Sequence, residues 1–416
     1  MNTLDYNRSP LSASRIPSVV AWLVIGIIAI ALPVLNHVGQ RFAPEETTGG
    51  GPDIMFQMSG QYTLGAARAF PDHRNQFLSE FEAQAKTHSQ RAAAAVLREV
   101  ATTQPTTQPA TLLSAQVDFV DTGDPLDAAA HPWYAKLRDP DTRDAAIKKA
   151  DLVYVAVFVL LIAGLLVLAI GVALGVTAII LLVTRWLTLN LIRPAGRVGV
   201  YVEAFAIYLL RFFGGSVVLS LVMPHASLPL KVLPLCLPIL FAAYWPVIRG
   251  TDWQTYRRDV GLHAGKGVFT EIGCGIVGYL ACLPILAASM GVVVLLQRFS
   301  SEQASHPIVG EIVGTNPLWI FLLAAVFAPI TEELMFRGLL LTHLRARFGM
   351  FASAVISGLI FAAIHPQGWL AIPTLLTIAC ILSLLREWRG SLIAPITAHA
   401  MNNGVVVLML VLLSRI

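Results

Sequence analysis

Charge is what this sequence has least of. Only 13% of its 416 residues are Asp, Glu, Lys or Arg, where a soluble globular protein carries about 25%. With 56% hydrophobic residues, the chain has too little charge to coat a water-soluble fold. The net charge of +4 comes without any block of Lys or Arg, which argues against a nucleic-acid partner. Cysteine is scarce too. Cys236, Cys274, Cys282 and Cys380 all fall in apolar runs, so no disulfide framework is expected, and they read as small buried hydrophobes. Short alternating strands are missing, which excludes a membrane β-barrel. Nor is there an H-E-x-x-H, the usual zinc-peptidase signature.

Long apolar runs are what the sequence has instead. A helix needs about 20 apolar residues to cross the hydrocarbon core. Windows of that length mark about nine spans, at 17–37, 152–183, 199–222, 229–248, 268–296, 317–341, 351–365, 369–385 and 392–413. The fold class is therefore all-α, a polytopic transmembrane helix bundle. The run 152–183 would be about 48 Å long as a straight helix, so it must tilt, protrude or break. The run 351–365 is short and is expected to end inside the protein.

The boundaries suggest four regions: an N-terminal membrane anchor (1–37), a polar extramembrane segment (38–150), accessory transmembrane helices (151–248) and a C-terminal core (249–416). The first run exceeds a usual signal-peptide h-region and no small-x-small site follows it, so it is expected to stay as an anchor. Within the polar segment, Arg74–Ala101 has helical spacing with Ala-rich filling. Thr102–Ala110 reads TTQPTTQPA, a linker that cannot build a core. The segment shows no catalytic constellation and reads as a spacer or a small gating domain.

Lys and Arg favour short cytoplasmic loops. Arg185, Arg193 and Arg197 share one loop, and Arg249, Arg257, Arg258 and Lys266 another. Arg345 with Arg347, and Arg386 with Arg389, mark two more. With nine spans and a cytoplasmic N-terminus all four loops fall on the cytoplasmic side, and 38–150 lies outside. The expected location is the cytoplasmic membrane of a prokaryote.

An ionisable group inside a membrane helix costs about 2.5–3.5 kcal/mol on insertion scales and marks function by default. Most runs avoid such groups; the last third does not. Pro329-Ile330-Thr331-Glu332-Glu333-Leu334-Met335-Phe336-Arg337 lies in an apolar run. Glu333 and Arg337 are four apart and can pair on one helix face. Glu332 points about 100° away and is left free, as suits a general base. Pro329 cannot donate to the carbonyl four residues back and can open the helix to water. Phe361 and His365 share a face at the end of the next run, and His399 and Asn403 share one on the last. Elsewhere, Glu203 and Arg211 read as packing or interfacial groups, and Glu271 as an interfacial one.

Loop geometry links the three pieces. Glu332 lies sixteen residues before Phe348, and His365 sixteen after Gly349. An antiparallel hairpin turning at Phe348–Gly349 brings both to one depth, and His399 lies roughly eight residues, about 12 Å, from the turn at Arg386–Gly390. A carboxylate and an imidazole can hold and deprotonate a water; a second imidazole and an amide can donate to an oxyanion. Peptide hydrolysis by an activated water follows, with no Ser or Cys nucleophile. The same side chains could ligate a divalent metal such as zinc through Glu332, His365 and His399; the residues do not decide whether a cofactor is present.

The ordered trio E-E-x-x-x-R (Glu332–Arg337), F-x-x-x-H (Phe361–His365) and H-x-x-x-N (His399–Asn403) resembles the CPBP family. That family groups type II CAAX prenyl endopeptidases with bacteriocin-processing and immunity (Abi) proteins. The resemblance covers roughly 250–413, and Gly261-Leu262 is similar to the family's opening segment. It implies that Glu332 and His365 activate the water, that His399 and Asn403 form the oxyanion site, and that Glu333, Arg337 and Phe361 support them. It also implies a membrane-associated protein or peptide substrate met within the lipid bilayer, with CAAX-type prenylated proteins as one such class, although the sequence itself carries no trace of prenyl chemistry. The first run and segment 38–150 are additions to that pattern. Two other readings remain: a non-catalytic scaffold or immunity-type binder of the same fold, and a solute transporter, which would show an internal helix repeat that this sequence lacks.

Overall fold

In the computed structural model, residues 16–42, 54–103, 131–189, 194–195, 197–223, 239–300 and 316–415 are described. Every regular element among them is helical. In chain order they are α1 (Ile16–Phe42), α2 (Ile54–Ala69), α3 (Arg74–Glu82), α4 (His88–Thr103), α5 (Pro132–Arg138), α6 (Pro140–Val183) and α7 (Val198–Val222). There follow α8 (Ile239–Ile248), α9 (Trp253–Val260) and α10 (Val268–Gln297). The last four are α11 (Pro317–Arg345), α12 (Met350–Ile364), α13 (Ile372–Arg389) and α14 (Ile393–Arg415).

Seven of these carry a window long and apolar enough to cross a membrane: α1, α6, α7, α10, α11, α13 and α14. The chain is a polytopic helical membrane protein. The other two expected spans are the shorter apolar helices α8 and α12; the first half of 229–248 lies outside the described residues. At ~1.5 Å per residue the 15-residue α12 reaches only about 22 Å, short of the hydrocarbon core.

The long run protrudes rather than breaks. α6 is a single 44-residue helix that begins well before residue 152. Asp139 starts it by accepting from the Asp141 amide at 3.1 Å, with Pro140 in the first turn, where its missing N–H costs nothing.

The chain divides into two compact units. One draws on Gly39–Ala169, Pro307–Ile320 and Val405–Ile416, the other on Met1–Val38, Ile170–His306 and Phe321–Gly404. The first packs Phe56, Leu64, Phe81, Leu97 and Tyr134 into a small core. Tyr134 donates to the Phe56 carbonyl at 3.1 Å, and Trp133 to that of Ala146 at 3.1 Å. The single helix expected over Arg74–Ala101 is corrected to two, α3 and α4. The break falls at Ala83–Thr87, where Thr87 Oγ1 accepts from the Gln90 amide at 3.1 Å and Gln90 Oε1 accepts from the Thr87 amide at 3.3 Å. This reciprocal capping box starts a new helix in mid-pattern. Of the TTQPTTQPA linker, only Thr102 and Thr103 lie among the described residues, ending α4.

In the other unit, α12 and α10 both pack along α13, and α7 packs on Leu334–Leu340 of α11. Tyr201, Phe205 and Leu209 of α7 meet Phe336 and Leu339 of α11 in one core. α1 joins it through Ala21 and Ile25, and its Trp22 Nε1 donates to His343 Nε2 at 3.3 Å. Close approach is bought with glycine: a Cβ on Gly275 would stand 2.5 Å from the Ala394 carbonyl of α14.

Buried ions lock the ends of these helices. Arg389 of α13 grips Glu271 of α10 with two hydrogen bonds, at 2.8 and 2.7 Å. Glu271, in the first turn of α10, is fully buried. Arg345 pairs with the buried Glu387. Glu203 accepts from Trp245 Nε1 at 3.2 Å and pairs with Arg249 at 3.6 Å, while Arg211 lies over the Phe241 ring. Gly261 ends α9 with φ +84°, a conformation glycine adopts freely. It leaves room for Arg386, whose Nη2 donates to the Asp259 carbonyl at 2.9 Å. Cys274, Cys282 and Cys380 are free thiols; Cys236 lies outside the described residues.

Candidate functional site

α11 is not a regular helix, and its irregularity positions the site. It is α-helical from Pro317, π-helical over Leu323–Phe327, α-helical over Ala328–Glu333 and π-helical again over Leu334–Leu340. Short π turns inside α-helices recur at functional sites. Pro329 offers no amide to the preceding turn, and the Ala328 amide bonds the Leu323 carbonyl in the wider π pattern. The neighbouring Ala324 carbonyl is taken by Asn403 Nδ2 of α14 at 2.9 Å.

The two glutamates between the π turns face different partners. Glu333 is fully buried. Its Oε1 accepts from Arg337 Nη1 at 2.9 Å and from His399 Nδ1 at 2.8 Å. Arg337, also fully buried, donates from Nη2 to the Ala379 carbonyl at 3.0 Å and lies over the Phe361 ring, 5.0 Å from its centre. Glu332 has no such clamp. Its Oε2 is buried without a hydrogen-bond partner and stands 3.9 Å from His365 Nε2 and 3.8 Å from His399 Nε2. These gaps are too long for direct hydrogen bonds and of the size one bridging water spans.

Both imidazoles are held from behind. His365 follows the last turn of α12, and its Nδ1 lies 2.5 Å from the Phe361 carbonyl. His399 Nδ1 lies against Glu333. A carbonyl or carboxylate partner requires a proton on Nδ1, so in a neutral ring held this way Nε2 is the bare nitrogen, and both Nε2 atoms lie toward Glu332. The Phe361 ring is centred 4.1 Å from the His365 ring and 6.1 Å from that of His399, with the Arg337 guanidinium 5.0 Å from its centre.

Glu332, His365 and His399 thus come together. Asn403 lies one turn beyond His399, but its described contacts are with Ala324 and with Asn402 Nδ2, which donates to its Oδ1 at 3.2 Å. Asn402 in turn accepts from the Tyr279 hydroxyl at 3.3 Å. Sequence reasoning spent Glu333 on Arg337 and missed its second partner, His399. A carboxylate oxygen has two lone pairs, so pairing at four-residue spacing did not exhaust it.

A cavity of about 520 Å³ opens on Glu332 and His365. Tyr208, Phe212 and Phe213 of α7, Leu32 of α1 and Phe336 of α11 give it a largely apolar, aromatic wall. Away from the spans, His263, in the turn before α10, is held below the usual imidazole range by burial and by the Arg386 charge.

A metal was the alternative use of these side chains. Tetrahedral zinc ligands at 2.0–2.2 Å from the ion lie about 3.4 Å from each other; the 3.8 and 3.9 Å separations are wider. No group of three or more His, Cys, Asp or Glu among the described residues is spaced to hold an ion, so Glu332, His365 and His399 do not stand at ligand spacing.

Fold and pocket together define an integral membrane protein with a carboxylate–imidazole cluster buried among its C-terminal helices. Residues 314–405, which carry every element of that cluster, match the family described as type II CAAX prenyl endopeptidase Rce1-like. The chain is 39% identical over 77 residues to the Uncharacterized protein YpbD of Bacillus subtilis (strain 168), covering 18% of this chain and 36% of that protein. It is 28% identical over 151 residues to an Uncharacterized 24.3 kDa protein of Escherichia coli, covering 35% of this chain and 67% of that one. The chain therefore spans about a third of the first relative's length and two thirds of the second's. No solved structure matches it significantly.

Proposed function

We propose that this chain is an intramembrane endopeptidase that cuts a membrane-associated protein or peptide with a water activated by Glu332. The observation that carries this reading is the unpartnered, buried Glu332 Oε2, 3.9 and 3.8 Å from two imidazole nitrogens that both face it. A water there donates one hydrogen to Glu332 and the other to His365 Nε2. As its oxygen attacks the scissile carbonyl carbon, Glu332 takes a proton. Glu332 then passes that proton to the leaving nitrogen as the C–N bond breaks. The second amide hydrogen of Asn403, which meets no described acceptor, is assigned to the oxyanion, joined by His399 Nε2–H when that ring carries both protons and keeps Nδ1–H on Glu333.

The family description supports a CAAX-type prenylated substrate class, and the apolar cavity beside Glu332 is in keeping with it. The basic loops support a cytoplasmic N-terminus with 38–150 outside. A membrane-impermeant maleimide should label Asn75→Cys in intact cells above the wild-type background; protection until the membrane is opened would reverse this orientation.

The deciding experiment compares wild type with Glu332→Gln in proteoliposomes, using a farnesylated fluorogenic peptide ending in a CAAX sequence, and in cells by membrane peptidomics. Cleavage products that vanish with Glu332→Gln, at unchanged melting temperature, support the reading. Products that persist overturn the role given to Glu332, and a wild type that generates none in either assay overturns the peptidase reading in favour of a non-catalytic scaffold.

A further inference from the structure

The cavity beside Glu332 poses a donor problem. A substrate carbonyl arriving through it must find a hydrogen-bond donor as its oxygen becomes negative. Three polar side chains line the cavity: Glu332, His365 and Tyr208. The proton that Glu332 takes from the water is passed on to the leaving nitrogen. The Nδ1 proton of His365 is committed to the Phe361 carbonyl, leaving bare Nε2 toward the site. Asn403 and His399, the donors assigned above, are absent from the lining, and one of the two Asn403 amide hydrogens is tied to Ala324.

Tyr208 is differently placed. Its side chain is 4% exposed, fixed in the aromatic row of Phe205 and Phe212, with ring centres 6.0 and 5.8 Å away. It lines the same cavity as Glu332, yet its hydroxyl makes no hydrogen bond among the described residues. A buried tyrosine usually finds a partner for its O–H, and the three other buried tyrosines of this unit do: Tyr201 on Asp259, Tyr256 on the Ala243 carbonyl and Tyr279 on Asn402. Tyr208 alone among these four keeps its proton for whatever fills the cavity.

We propose that the Tyr208 hydroxyl is a further catalytic group, which donates a hydrogen bond to the carbonyl oxygen of the scissile peptide on the cavity side of Glu332. This rests on the peptidase reading above. It makes α7, which lies outside the matched region 314–405, part of the active site rather than an accessory. The phenol bonds weakly to the ground-state carbonyl and more strongly to the oxyanion, so its contribution falls on turnover rather than on binding.

The test measures kcat and KM of full-length wild type, Tyr208→Phe and Glu332→Gln in proteoliposomes with the farnesylated fluorogenic peptide, beside their melting temperatures. Tyr208→Phe removes one oxygen and keeps the ring packing. The expected result is a kcat lowered about 100- to 1,000-fold with KM within about twofold and the melting temperature unchanged, as for loss of one oxyanion donor. If wild type cleaves, Glu332→Gln does not, and Tyr208→Phe keeps at least half of wild-type kcat, the Tyr208 role is overturned while the peptidase reading stands. A raised KM at unchanged kcat likewise overturns it, since that marks plain substrate binding. Absence of any Glu332-dependent cleavage overturns both.

Discussion

Removing Glu333 should destabilise the protein far more than removing an ordinary polar contact between membrane helices. Glu333 and Arg337 have side chains 0% and 1% exposed, and Glu333 also carries His399. Glu333→Ala leaves the guanidinium with only the Ala379 carbonyl as a described hydrogen-bond partner. Breaking a buried pair from one side costs about 3–5 kcal/mol, roughly a hundred- to several-thousand-fold in the folding equilibrium. An average interhelical hydrogen bond in a membrane protein is worth about 0.6 kcal/mol, so the two cases are well separated. Equilibrium unfolding in mixed micelles gives the number, and the combined Glu333→Gln/Arg337→Met variant gives the control. It removes both charges at similar volume and keeps a carbonyl for His399 Nδ1–H, so it should regain most of the loss. A Glu333→Ala cost below about 1 kcal/mol, or a combined variant as unstable as the single one, would refute the buried-charge account.

Asn403→Ala should cost about 1 kcal/mol by orphaning the Ala324 carbonyl, and Asn403→Asp more, since a carboxylate cannot donate to that oxygen; micelle unfolding checks both. Gly275→Val should separate α10 from α14, because even a Cβ meets the Ala394 carbonyl at 2.5 Å; a lowered melting temperature is expected and an unchanged one would contradict the packing. Thr87→Ala should cost about 1 kcal/mol through loss of the α4 cap, read by helix content on heating. The depressed His263 binds fewer protons folded than unfolded, so stability should fall as pH drops below about 6.5; His263→Gln should flatten that part of the profile.

The apolar runs were legible because length and hydropathy alone decide whether a helix suits a bilayer. The depth at which Glu332 and His365 meet was legible because a helical hairpin converts residue counts into distance. Contacts between distant segments were not. The bond from Glu333 to His399 joins residues 66 apart, and nothing local to either signals the other. Tyr208 was overlooked because it sits in an apolar run without a motif; only its missing hydrogen bond sets it apart. The split at Ala83–Thr87 could have been found, since Thr87-x-x-Gln90 is a helix-start pattern, but the Ala-rich periodicity on either side masked it. The π turns have no sequence signature here beyond Pro329.

Those wider turns also limit how this segment can vary. Each accommodates one residue more than an α turn would, and Glu332 and Glu333 lie between them. Loss of a single residue from either stretch would let the helix relax to ordinary winding and rotate one end by about 100° against the other, carrying the glutamates off their partners. Substitutions on the lipid side of α11 leave that winding untouched. Drift in this helix is therefore open to exchanges of side chain and closed to changes of length, so an intact residue count from Leu323 to Leu340 is the mark to look for in any functional descendant.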